Sequence, residues 1–149
     1  MFRQTLLLLH LLAAIAWVGG MFFAYFCLRP SAAEVLAPAK RLPLWLATLE
    51  RFLGYMTLAV LTVLASGLGM LWPVGLQAAP VGWHVMLVLG LVMASVYAYI
   101  HARLLPKLRA GCRAADWPAA AQVLNGIRRL VALNLALGVA TVAAAVSAR

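Results

Sequence analysis

The sequence predicts an all-α integral membrane protein, a four-helix bundle running up-down-up-down. Composition is the first reason: 66% of the 149 residues are hydrophobic and mean hydropathy is +1.01. Soluble domains hold only about 45–50% apolar residues. Four apolar runs are the second reason, each at or near the ~20 residues that a helix needs to cross a bilayer. The third is that charge is confined to the ends and joints of those runs. Nearly all of the chain is span or short loop, so it reads as a single four-span domain over 1–149.

The first span covers about 5–28. Arg3 ahead of an apolar run resembles a secretory leader, but the run continues through Phe22, Phe23 and Tyr25 without a small-x-small cleavage pattern, and it reads as a retained span. Arg29-Pro30 is expected to stop it. Ser31-Ala32-Ala33-Glu34 has the spacing of a capping box for a short turn that Pro38 ends. Pro43 suits a first helical turn, and the second span follows over about 44–72. Within it Tyr55, Thr62, Ser66 and Gly69 share a weakly polar stripe expected to face the bundle. Trp72 and Trp83 bracket an uncharged loop as interfacial aromatics. The third span occupies about 81–105, with Pro106 expected to end it. Asp116-Trp117-Pro118 reads as an N-cap with proline in the first turn. The fourth span is about 119–147, starting on the surface and crossing from about residue 130, with Asn134, Gly138, Thr141 and Ala145 on one face.

Twelve basic residues against three acidic give a net charge of +9. In a soluble protein that balance would point to nucleic acid; in loops between spans it sets orientation, and nucleic acid is rejected. Ten of the twelve (Arg29, Lys40, Arg41, Arg51, Arg103, Lys107, Arg109, Arg113, Arg128, Arg129) fall after spans one and three or before two and four. Arg3 and Arg149 fall on the other side. The positive-inside rule then puts both termini outside, in the periplasm of a bacterial inner (cytoplasmic) membrane, and the basic loops in the cytoplasm.

Polar groups inside spans carry the functional expectation. His10 lies in the first span, on or beside a face with Ala13, Ala14, Trp17, Gly20, Met21 and Ala24. Small residues there leave room for a close-packed helix or for a flat porphyrin. His84 falls in the first turn of span three, toward the same outer leaflet, on a face with Val88, Leu91, Ser95 and Ala98. Two imidazoles facing each other across a bundle hold a b-type haem; alternatively, His84 hydrogen-bonds interfacial water and His10 bonds to Asn134, Thr62 or Ser66. His101, at the opposite end of the span and about 25 Å from His84, reads as interfacial. Met70, Met86 and Met93 offer thioethers of the kind copper(I) takes. Yet Met86 and Met93 fall on the face opposite His84, so one helix cannot present all three to one ion. Glu34, Glu50 and Asp116 all fall at the basic side, and no nucleophile-base pair or phosphate loop is present. Cys27 and Cys112 are too few and too distant in sequence for a disulfide framework or zinc site. Catalytic residues are therefore unassigned, and enzyme activity would depend on a cofactor.

His10, Trp17 and Gly19-Gly20-Met21-Phe22-Phe23 resemble the first helix of the copper-resistance protein D (CopD) family and of the related HemJ-type protoporphyrinogen oxidases. Trp83-His84-Val85-Met86 and Ile127-Arg128-Arg129 to Asn134 extend the resemblance to small stand-alone CopD-like proteins. It implies a four-helix membrane protein linked to copper handling in one branch and to b-haem and porphyrinogen oxidation in the other, where His10 maps onto a haem ligand. Met86 replaces the HemJ lysine and Asn134-Leu135 the Asn-Glu pair, so the resemblance implies haem more directly than oxidase activity. The resulting expectation is an electron-transfer protein or haem-dependent oxidoreductase. His10 and His84 would be the iron ligands, with Trp17, Gly20 and Asn134 around the cofactor and Arg3 toward a propionate. Partners would be the lipid bilayer, a quinone or redox protein, and a second copy in a homo-oligomer. Copper uptake or resistance is the alternative, and a non-catalytic subunit docking a partner is a third.

Overall fold

The computed structural model describes residues 1–147; the Arg149 expectation lies outside them. All regular secondary structure among the described residues is helical, and four rods are long and apolar enough to cross a membrane. The first joins α1 (Phe2–Phe22) through a π-helical segment (Phe23–Leu28) to α2 (Arg29–Val35). The second is α3 (Pro38–Leu71). The third joins α4 (Val81–Tyr99) through a second π-helical segment (Ile100–Leu104) to α5 (Leu105–Arg113), and the fourth is α6 (Trp117–Ser147).

Two prolines expected to end spans do not. Pro30 and Pro106 each sit just after a π-helical segment, and the rods continue to Val35 and Arg113. Proline removes one backbone donor and crowds the carbonyl four residues earlier. A wider turn ahead of it separates that carbonyl from the ring, and membrane helices tolerate proline through such local adjustments. Ser31 consequently lies inside a continuous helix, where its hydroxyl donates back to the Cys27 carbonyl at 2.9 Å. It is not the capping residue that its spacing suggested. Pro38, rather than Pro43, begins α3, and Pro43 lies within the helix.

The Asp116 expectation holds. Its Oδ1 accepts the Ala119 amide at 3.1 Å, with Pro118 in the first turn of α6. Immediately before it, α5 ends in a Schellman-type closure: Asp116 N–H reaches the Gly111 carbonyl and Ala115 N–H the Cys112 carbonyl. Ala115 takes the left-handed conformation (φ 52°) that glycine usually fills there. The turn lays α5 on α6 so closely that a Cβ on Gly111 would stand 3.1 Å from that of Ala120.

Helix α1 packs most extensively on α3, and α4 on α6; α6 also touches α1 and α3. The core has two parts. One gathers Leu42, Trp45, Leu49, Leu53, Ile100, Leu105, Leu108, Ala120, Leu124 and Ile127 at the basic end. The other holds Ala13, Trp17, Met21, Met56, Ala59, Val60, Met93 and Leu135 at mid-depth. Leu8, Leu11, Leu12, Ile15, Leu58, Leu61 and Val142 point outward, as lipid-facing side chains do. Tyr55 joins them at 75% exposed, so the stripe expected to face inward is split: Ser66 is buried and Tyr55 is not.

Candidate functional site

The end of the bundle built from the start of α1, the end of α3 and the start of α4 carries both His10 and His84. Half-buried His10 lies across the helix boundary against α3, where its Nδ1 is 2.9 Å from Ser66 Oγ. Gly67 makes that approach possible: a Cβ there would stand 3.3 Å from His10 Cε1. The Ser66 hydroxyl also lies 2.5 Å from the Thr62 carbonyl. A carbonyl only accepts, so the single hydroxyl proton of Ser66 goes to it, and His10 Nδ1–H must donate to Ser66. In the neutral ring this tautomer leaves the lone pair on Nε2. Of the three partners expected for His10, the structure selects Ser66.

His84 arrives at the same tautomer by a different contact. Its Nδ1 is 3.2 Å from the Pro80 carbonyl, which again can only accept, so that Nδ1 donates and the lone pair of the neutral ring falls on Nε2. Its helical face turns outward, with Val88 at 59% and Leu91 at 50% exposed and Ser95 bonded to its own helix. The inward face of α4 is the methionine one: Met93 is buried, its carbonyl accepts Asn134 Nδ2 at 3.1 Å, and Thr141 Oγ1 stands 3.9 Å from its sulfur. The two imidazoles share an end of the molecule but no common hydrogen-bond partner.

The remaining predicted residues fall in three places. Trp17 is buried at mid-depth, edge-on to Tyr97 with ring centroids 6.4 Å apart. Gly20 is covered by Phe52, whose ring would come within 2.5 Å of an added Cβ. The small-residue face of α1 is thus packed against α3, the helix-contact use of such a face. Asn134 is 2% exposed, and its Oδ1 has no hydrogen-bond partner. Arg3 lies at the open end, lining a cleft of about 410 Å³ with Gly69, Met70 and Trp72. His101 is exposed at the far end, 3.2 Å from the Tyr97 hydroxyl, which donates to the Leu53 carbonyl.

Met21, placed beside the His10 face by spacing but not read as a donor, and Met56, which spacing did not single out, join Met93 in one buried cluster, one thioether from each of three spans. Each is a single apolar residue within an apolar run, and their only signal is helical phase across three separate segments. No three His, Cys, Asp or Glu side chains converge among the described residues, so donors other than these would have to complete any metal site.

One family model, copper resistance protein D (CopD), matches residues 46–148, spanning most of α3 through α6. No curated protein and no solved structure shows a match.

Proposed function

The chain belongs to the copper resistance protein D family, and from that premise we propose that it handles copper within the bacterial inner membrane. The observation that carries this reading from family to residues is the His10–Ser66 pair, which engages Nδ1 and so puts the lone pair of the neutral ring on Nε2 at the open end of the bundle. Copper(I) takes imidazole and thioether donors. His10 and His84 are the proposed imidazole ligands, with the thioether of Met70 in the neighbouring cleft. Met21, Met56 and Met93 continue the soft donors inward. Copper is here a cargo, and Ser66 fixes the ring that meets it, as groups behind metal-bound histidines do. By the positive-inside rule the open end faces the periplasm and the basic loops face the cytoplasm. The family match and the filled face of α1 both favour copper over haem.

The test is expression in a copper-sensitive bacterial strain, with tolerated copper and cell-associated copper both measured. Wild type should shift both, and His10→Ala at equal membrane abundance should shift neither. Indistinguishable growth and copper content with wild type and empty vector would remove the proposal. A Soret band in wild type purified from haem-replete cells, absent from His10→Ala, would replace copper with haem.

A further inference from the structure

At the end of the bundle opposite His10, the first and fourth rods enclose a cleft of about 460 Å³. Arg29 and Tyr25 line it from one side, and Asn125, Arg128 and Arg129 from the other. Three guanidinium groups in one concavity repel one another unless an anion joins them. No carboxylate supplies that charge. The one ion pair among the described residues joins Arg109 to Glu50 at 2.7 Å, and no acidic residue lines the cleft. Two of the arginines are held in place by aromatic faces instead: Arg29 stacks over Tyr25 at 5.1 Å and Arg128 over Trp45 at 5.5 Å. Arg128 Nη1 also donates to Asn125 Oδ1 at 3.2 Å, while its Nε is buried without a partner. Two of the three guanidinium groups are thus held in place and Arg128 Nε is left to be paired, which suits a tetrahedral oxyanion.

The surface beside the cleft narrows the class of anion. Phe22 and Phe26 on the first rod and Leu133 on the fourth, one turn along from Arg129, are exposed apolar side chains leading away from the arginines toward the membrane-embedded middle. An oxyanion at the arginines and hydrocarbon along Phe22, Phe26 and Leu133 describes one amphiphile. We propose that this cleft binds the phosphate of an anionic phospholipid, with the acyl chains lying on that apolar surface. Basic pockets between spans at a membrane interface hold such headgroups. The site is independent of the copper reading.

The test uses the full chain in detergent, titrated with short-chain phosphatidylglycerol, phosphatidylcholine or inorganic phosphate and followed by native mass spectrometry. Arg29 and Arg129 are exposed, so Arg29→Gln with Arg129→Gln leaves the packed interior intact. Phosphatidylglycerol affinity should fall about 25-fold in that double variant and about fivefold in Arg29→Gln alone, taking about fivefold per arginine. Arg103→Gln removes one exposed positive charge elsewhere and should change affinity less than twofold. Equal loss in Arg103→Gln, or no preference for phosphatidylglycerol over phosphatidylcholine with phosphate also unbound, overturns the proposal. Binding of inorganic phosphate as tightly as of the lipid, with the same dependence on Arg29 and Arg129, supports the phosphate site and assigns it to a soluble source.

Discussion

The two ends of this bundle are built on opposite principles. At the basic end α3, α5 and α6 interlock, and Leu108 and Ala120 are 0% exposed. Asp116 caps α6, and Arg109 meets Glu50 across helices. At the other end no residue in 1–12, 67–92 or 139–147 is buried, His10 meets Ser66 between helices, and a cleft opens beside Arg3 and Trp72. Rigidity is concentrated where no free imidazole lies inward. His10 and His84 sit where the packing opens. Proteins draw their mobile, ligand-accepting regions from the least tightly packed parts of the fold, and this division follows that rule.

Substitutions that remove one side chain from each end should expose the contrast. Leu108→Ala empties a fully buried position and should cost about 2–5 kcal/mol, whereas Leu7→Ala, already outward-facing, should cost close to nothing. Unfolding titrations in a mixed detergent would compare them; equal losses would erase the contrast. Ser66→Ala should act in the reverse sense, weakening copper(I) affinity about ten- to hundredfold by freeing the His10 ring. A competition assay with a copper(I) chelator reads this, and unchanged affinity would show that Ser66 does not orient the ligand. Asp116→Ala should lower stability by about 1 kcal/mol through loss of the cap, without altering copper affinity. Smallest of all, Glu50→Gln should cost less than about 1 kcal/mol and lose even that in high salt, because both partners are well exposed.

The four spans were legible because their signal is a sum over many residues, and hydropathy survives any error at one position. Their ends were not. Pro30 and Pro106 are read locally as helix breakers, and nothing in Phe23–Leu28 or Ile100–Leu104 announces a wider turn. Asp116 was legible because a cap is a contact between neighbours. His10 and Ser66 were legible as a polar pair in apolar surroundings, although Asn134 and Thr62 fitted the same pattern until packing chose between them. Tyr55 misled because a polar stripe also carries interfacial aromatics, which prefer the outside. The outward turn of the His84 face depends on how α4 is rotated against α6, which no spacing within α4 encodes.

The wide turns before Pro30 and Pro106 also set reach. Because the helices survive their prolines, the first rod runs for 34 residues and the third for 33. At about 1.5 Å per residue each is about 50 Å long, against a hydrocarbon core of about 30 Å. The surplus extends each rod as a stiff strut beyond the length that the hydrocarbon core requires. Each extra residue in a turn also advances the angular phase of everything beyond it, so the prolines decide which way the struts face. On the third rod that phase turns Leu105 and Leu108 into the core and leaves Lys107 to water. Two residues that ordinarily terminate a helix here act as the gears that aim its far end.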